Sequence, residues 1–557
     1  MLDNYAIADN FSLISKLMDI QGDNSFKAKS FASAAFTVEK LPIQLQVTPP
    51  EEIAKIKGIG DSISKAIQEM LQTGKFAALE AYLLKTPPGI LEMMKIKGLG
   101  PKKIATIWKE LEAESLGELL YACNENRLTL LKGFGQKTQD AVKQSIEFYF
   151  SNQGRYLYAQ AEALALSLEK EFSQLLTPAA VSLTGQFRRN ENIIDEIEFV
   201  AALPTPALQE KLSALPALTA ATVTGDAITW QHEQHIKIKV YTASAEDFNK
   251  VLFTTTASAS FLEHFNASLD LNSIPANATE EAIFTQAGME YIEPCLRNGG
   301  LAINLAKKKQ LPVLITHKDI KGIIHSHSTW SDGEHTLLQM ATTAKEQGFE
   351  YLVISDHSRS AFYANGLSIE RIQAQHAEID ALNKQLAPFR IFKSVEADIL
   401  NDGSLDYPDE ILASFDLVIA SVHSNLKMSE EKAMARLLKA IENPYTTILG
   451  HMTGRLLLSR NGYPVNHQQI IDACATHNVV IEINAHPRRL DIDWEWIPYA
   501  LEKNVLLSVD PDAHSTDGFH DIYYGTLAAR KGGLTAAHNL SSFSAAELEA
   551  FISKKKK

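Results

Sequence analysis

From about residue 321 onward the chain alternates short apolar runs with longer stretches of helical period. GIIHSH, YLVISDH, IFKSVEAD, DLVIASVH, TTILGH, VVIEIN and VLLSVDPDAH are β-rich runs, nearly all closing on His, Asp or Glu. They read as buried strands. LLQMATTAKEQG, SIERIQAQHAEIDALNKQL and EEKAMARLLKAIEN read as the helices between them. Strand–helix repetition predicts a β/α barrel, and seven strands predict a distorted or incomplete one. Upstream the pattern differs. Residues 151–240 open with a helical stretch, SNQGRYLYAQAEALALSLEKEF. The strand-like VSLTG, IDEIEFVAAL, AITWQ and HIKIKVYT follow, giving a mixed α+β region. Residues 241–312 are mostly helical, and so are residues 1–150. The expected division is 1–85, 86–150, 151–240, 241–312 and 313–557.

Within the first 150 residues a short unit recurs: IKGIG (56–60), IKGLG (96–100) and LKGFG (131–135), each followed by a helical stretch. Gly58 with Gly60, Gly98 with Gly100, and Gly133 with Gly135 permit a tight turn between two helices. The helix after such a turn presents free N–H groups that can bind a phosphate oxygen. Lys102, Lys103 and Lys137 add charge there. One Gly-x-Gly turn would be plain packing, whereas three copies point to a phosphate backbone. The unit resembles the helix-hairpin-helix DNA-binding motif.

The net charge of −14 argues against a nucleic-acid binder. Residues 1–150 are near neutral, however, so contacts there fall to backbone groups and a few lysines. Composition is that of a soluble protein, with 45% hydrophobic and 22% charged residues. No apolar stretch suits a membrane span, and MLDNYAIADN has no secretory pattern, so a cytoplasmic location is expected. Cys123, Cys295 and Cys474 lie far apart, which excludes a disulfide framework and a thiolate zinc site.

All 17 histidines lie after residue 231, and 14 fall in 317–557. Barrel active sites sit at the C-terminal ends of the strands. The strand ends here supply His325 and His327 with Asp332 in the loop, then Asp356 and His357, Glu396 and Asp398, His423, His451, and Asp512 and His514. His325 and His327 are two apart, so a regular strand points both to one face, and the same holds for Asp512 and His514. Imidazoles and carboxylates without thiolates suit Zn, Mn or Fe. Nine ligands exceed one tetrahedral ion and suffice for two or three. Closely spaced ions generate hydroxide from a bridging water and clamp a phosphoryl oxygen, so phosphoester hydrolysis is the expected chemistry. Asp356 and Asp398 are expected to orient ligands, and Arg488 and Arg489 to contact substrate phosphate. His486 reads as structural, and His335, His376, His467 and His538 as surface residues.

IKGIIHSHSTWSDG, ISDHS, EADILNDGSLDY, GHMTGRLL and DPDAHS resemble the successive motifs of the polymerase-and-histidinol-phosphatase (PHP) domain. The chain as a whole is similar to the bacterial DNA polymerase X family, with NSFKAKSFASAA (24–35) and MEYIEPCLRNG (289–299) matching its other segments. The resemblance implies a multidomain fold: helix-hairpin-helix fingers, a nucleotidyltransferase palm, a thumb and a distorted (β/α)7 PHP barrel. It implies three divalent ions. His325, His327, Glu396 and Asp512 would hold one. Glu396, His423 and His451 would hold the second, and Asp332, His357 and His514 the third. It also implies a manganese-favouring 3'-5' exonuclease acting in DNA repair.

The palm departs from the family pattern. Gly185, Phe187, Arg188 and Arg189 match it, but Gln186 replaces a serine that contacts the nucleotide. Glu196 and Glu198 stand where two aspartates belong, and Lys237 at the third carboxylate. FTTTAS (253–258) lacks the second Gly-Ser. Two-metal nucleotidyl transfer, with Mg in the palm, needs closely placed carboxylates, so a weak or inactive polymerase is expected and dNTP use is doubtful. The favoured reading is a monomeric nuclease acting on gapped, nicked or 3'-ended DNA. The competing readings are a gap-filling polymerase with an attached nuclease, a histidinol-phosphatase-like enzyme for small substrates, and a DNA-binding scaffold with a structural metal site.

Overall fold

The computed structural model describes residues 2–124, 127–151, 154–458 and 461–555. Two compact units divide the chain, Met1–Gln153 and Gly154–Lys557.

The first unit is helical. Its helix Asp61–Thr73 buries Ile63, Ala66, Ile67 and Met70, residues three and four apart that make one apolar face. The three repeated turns share one geometry. Gly58, Gly98 and Gly133 have φ of 93°, 89° and 90°, a conformation that favours glycine. Ile59, Leu99 and Phe134 follow them into the core. Gly60 and Gly100 then cap the helices Asp61–Thr73 and Pro101–Leu111 without any side-chain hydrogen bond. The exposed face of each turn therefore carries first-turn N–H groups and glycine backbone. Lys102 and Lys137 are exposed beside them. Lys103 instead turns back and donates to the Gly98 carbonyl at 3.1 Å, so it caps its own turn.

The second unit begins with a two-stranded ribbon, β1 (Tyr156–Leu157) and β3 (Ile193–Ile194). The helix expected over 151–172 starts only at Tyr158, because Tyr156 and Leu157 pair with β3; residues 152 and 153 lie outside the described residues. A five-stranded sheet follows, in order β2-β4-β7-β6-β5: β2 (Val181–Thr184), β4 (Glu196–Ala201), β5 (Leu218–Thr224), β6 (Ala227–His232) and β7 (Lys237–Thr242). Ile197, Phe199, Trp230, Ile238 and Val240 form its core with Phe172 of the helix Tyr158–Leu175. Helices Phe248–Thr256, Ala259–Asn266, Glu280–Gln286 and Gly300–Lys307 follow around a phenylalanine cluster.

The remainder is the barrel. Seven parallel strands run in order: β8 (Gly322–Ser326), β9 (Tyr351–Ile354), β10 (Arg390–Asp398), β11 (Leu417–Ser421), β12 (Ile448–Leu449), β13 (Val480–Asn484) and β14 (Leu507–Asp510). The first and last ends meet where His327 N–H donates to the Ala513 carbonyl (2.8 Å) and Ala513 N–H to that of His325 (3.2 Å). Ile324, Tyr351, Val353, Phe392, Leu417, Ile419, Ile448 and Val480 fill the lower interior. Leu540, and Leu548 and Ile552 of the helix Ala545–Lys555, join them. Tyr351 Oη donates to the Leu540 carbonyl, so this segment seals the end where the strands begin. Polar interior side chains thus collect at the opposite end. No helix among the described residues is long and apolar enough to cross a membrane.

Candidate metal centre

Ile324 packs in the barrel interior, so strict alternation would turn His325 outward. Instead His325 is left-handed (φ 60°), and the pairing of β8 with β9 shifts register between Ile323 and Ser326. This bulge swings the imidazole back inward, where its ring centre lies 5.3 Å from that of His327. The regular same-face geometry expected from the spacing of two is therefore absent, although both rings arrive. Asp512 and His514 also stand off the strand. β14 ends at Asp510, and Asp512 has φ 53° in the loop beyond.

Glu396, fully buried near the end of β10, is the hub. Its Oε1 lies 3.0 Å from His451 Nε2, 3.1 Å from His423 Nε2 and 3.3 Å from His325 Nε2. Its Oε2 lies 2.9 Å from His357 Nδ1 and 3.7 Å from His327 Nε2. Asp512 Oδ1 sits 3.2 Å from His327 Nε2 and 3.4 Å from His325 Nε2. Asp332 reaches His357 Nε2 at 3.6 Å and His514 Nε2 at 3.5 Å. All nine expected ligands therefore converge at the barrel mouth. Three groups have ligand atoms close enough to share an ion: His325, His327 and Asp512; His357, Glu396 and His423; and His327, Asp332, His357 and His514. His451 enters none of these groups and meets the centre through Glu396. His327 and His357 each enter two, and a neutral imidazole has one acceptor nitrogen, so each ring serves one ion at a time.

The residues fit cations. His325 Nε2, His327 Nδ1, His357 Nδ1, His451 Nδ1 and Glu396 Oε2 are buried without a hydrogen-bond partner. Such orphans are rare in native interiors and costly unless something else satisfies them. Burial disfavours charge on His423, yet Glu396 and Asp398 outweigh it and push its pKa up to about 10. His514 is likewise raised to about 9, against burial, by Asp332 and Asp512. Burial and the neighbouring His357 take His327 down to about 3. The field at the mouth is thus strongly negative, as a site for positive ions requires.

Asp398 accepts from His423 Nδ1 at 2.5 Å and so aims Nε2 at Glu396. Asp356 touches no candidate ligand by a hydrogen bond. It takes N–H and O–H donors from Ser328 and Ser331 and the Gln375 amide, fixing the loop that carries Asp332. Arg489 Nε lies 3.7 Å from Asp512 Oδ2, and Arg488 is exposed on the same loop. His486 accepts from the Arg488 N–H at 3.2 Å. His335, His376, His467 and His538, expected at the surface, are all partly buried. His376 packs edge-on against Phe415, and His467 stacks on Trp496. One residue absent from the expected set is central. Glu482, fully buried on β13, binds His325 Nδ1.

In the sheet upstream, Gly185 (φ 61°) opens a short helix, and Glu198 lies against it. A Cβ on Gly185 would fall 1.6 Å from Glu198 Oε2. That oxygen accepts the Gln186 N–H at 3.1 Å, and Tyr241 Oη donates to the other at 2.9 Å. Burial raises the Glu198 pKa. Arg188 is tied to Glu280 and Thr256, and Arg189 to Glu191 and the Thr256 carbonyl. Register places Lys237 beside Glu196, yet Lys237 is exposed, and the lysine that meets Glu196 (3.2 Å) is Lys239. The expected Lys237 position is therefore filled from one pleat further along.

Comparison with known proteins accords with this organisation. Residues 2–76 match a helix-hairpin-helix domain model, and residues 90–147 a SAM-like helix-hairpin-helix tandem. A probable phosphatase of Caldanaerobacter subterraneus subsp. tengcongensis is 28% identical over 171 residues, 29% of this chain and 60% of that protein. One of Clostridium novyi is 26% identical over 165 residues, 29% of this chain and 63% of that protein. The DNA polymerase/3'-5' exonuclease PolX of Bacillus subtilis is 32% identical over 560 residues, covering 97% of each chain. With that likeness running nearly end to end, the chain belongs to the PolX family.

Proposed function

We propose that the barrel hydrolyses DNA phosphodiesters at 3' ends and that the helical unit holds the DNA. The observation that carries this reading is the set of buried, unpartnered imidazole and carboxylate atoms around Glu396. His325, His327, Glu396 and Asp512 would hold one divalent ion, Glu396, His423 and His451 a second, and Asp332, His357 and His514 a third. Manganese, zinc or iron suits these donors. Such ions supply Lewis acidity at a phosphoryl oxygen and acidify a water. The chain's own residues fix the geometry. Asp398 holds the His423 tautomer, Asp356 sets the Asp332 loop, and Arg489 and Arg488 meet the phosphate at the rim.

The three hairpins favour DNA over a small phosphate ester, since they expose uncapped helix N-termini that a small substrate does not need. The test uses 5'-labelled DNA with and without manganese. Stepwise release of mononucleotides from the 3' end, abolished by Glu396→Ala, is expected. Hydrolysis of histidinol phosphate without any of DNA would refute the reading.

A second reading, active gap filling, is favoured by the relative that is named a polymerase. Against it, Glu198 occupies the Gly185–Gln186 N–H pocket with a carboxylate of this chain, where an incoming nucleotide phosphate would compete. Arg188 and Arg189 are committed to neighbours, and Lys239 brings a positive charge to Glu196. Primer extension with magnesium or manganese is therefore expected to yield little product. Robust templated synthesis overturns that expectation.

A further inference from the structure

Glu482 is a carboxylate with no exposure at all, and among the described residues it forms no ion pair with Lys or Arg. Burying an ionised carboxylate is costly unless its oxygens are fully engaged. Both are engaged by the candidate metal centre. Oε1 takes the His325 ring at Nδ1, and Oε2 accepts the main-chain N–H of His451 at 2.5 Å. Asn484 Nδ2 lies 3.4 Å from the same Oε2 and donates to Asp512 Oδ2 at 3.1 Å. Space for this arrangement comes from Gly450. A Cβ there would fall 2.3 Å from Ser421 Oγ and 3.6 Å from Glu482 Oε2.

We propose that Glu482 is a positioning residue of the metal centre, holding His325 in the tautomer whose Nε2 is free for an ion while anchoring the backbone at His451. This rests on the metal-centre reading above. The argument is one of donors and acceptors. Nδ1 must carry the proton when it faces an acceptor-only carboxylate, so the Nε2 lone pair points at Glu396 and Asp512. The His451 N–H is a fixed donor and needs the other oxygen. An amide of the same shape satisfies only one of the two. In Glu482→Gln the amide oxygen stays with the His451 N–H, because a backbone donor cannot change. The NH2 then faces His325, which must accept at Nδ1 and carry its proton on Nε2. One ligand is thereby blocked without any change in volume.

The test is metal retention by the full chain. Wild type, Glu482→Gln and Glu482→Asp are loaded with manganese or zinc and dialysed against graded chelator, and bound metal is measured by elemental analysis. Melting of the metal-free proteins is recorded alongside. Glu482→Gln is expected to lose metal at 10- to 100-fold lower chelator, with its metal-free melting temperature close to that of wild type. Glu482→Asp keeps the charge but not the reach, and loses metal about tenfold more readily. It serves in place of Glu482→Gln should that variant not fold. Retention equal to wild type in the folded variant overturns the role of Glu482 alone. A wild-type protein that retains no metal overturns the metal-centre reading, and this role with it.

Discussion

His376 shows how one side chain ties burial to pH. It sits on the helix Ile369–Leu386, its ring edge-on to Phe415 at 5.0 Å and its Nε2 buried without a partner. Burial, and then the charge of Lys393, lower its pKa to about 4, against opposing pulls from Asp416 and Asp380. The folded protein thus binds this proton less readily than the unfolded chain, whose histidine titrates near 6.5. Stability from the neutral ring is complete above that value and is lost as pH falls toward 4. The loss is on the order of 1–2 kcal/mol once partial exposure is allowed for. Urea denaturation of wild type and His376→Phe between pH 7 and pH 4 is expected to show a gap that shifts in favour of the variant as pH falls. A pH-independent gap would refute this assignment. The same residue shows what the sequence conceals. His376 reads as one more polar position on a helix, because the Phe415 that covers it is far along the chain. The metal-facing histidines are legible because each ends an apolar run. Glu482 is not, since VVIEIN reads as an ordinary buried strand and only the barrel brings His325 and His451 to it. Lys239 is hidden for a similar reason. Strand register decides which of two same-face lysines meets Glu196.

The repeated turns are where local sequence and structure agree most closely, because the constraint is backbone conformation itself. Gly98 has φ 89° with nothing within 4 Å of where a Cβ would stand, whereas Gly100 has φ −83° in equally open space. Gly98→Ala therefore suffers only the backbone penalty, about 1–2 kcal/mol, while Gly100→Ala costs a few tenths. Melting of the two variants is expected to separate them by that amount, and equal stabilities would contradict the turn geometry. If the turns grip phosphate, Gly98→Ala also weakens retention on DNA at moderate salt. Elements set by long-range pairing are harder to read. β5 is not legible in the residue order, since six of its seven residues are exposed and no alternation marks it. The barrel strands are legible to within a few residues because both faces are buried and each run is largely apolar. The bulge at His325 is invisible, because a positive φ at a histidine leaves no trace in the residue order.

At the scale of the molecule, the helical unit and the barrel-bearing unit have separate cores and opposite demands. The first meets DNA through backbone and a few lysines. The second concentrates buried carboxylates, Glu396, Glu482, Asp510 and Asp512 among them, within a few side chains of one another. Burial together with Glu482 raises the Asp510 pKa well above the ordinary range, a sign of how crowded the negative charge is. Divalent ions relieve that repulsion only in the folded barrel, so they stabilise it by mass action. Each site adds about 2.7 kcal/mol when the free ion is a hundredfold above its dissociation constant. Two thermal transitions are expected, one for each unit, and chelator should lower the barrel transition by several degrees while leaving the helical one in place. Restoring manganese should reverse the shift, and Glu396→Gln should erase most of the response because that carboxylate meets four of the histidines. If chelator moved neither transition, or moved both equally, ions would not be part of the folded barrel.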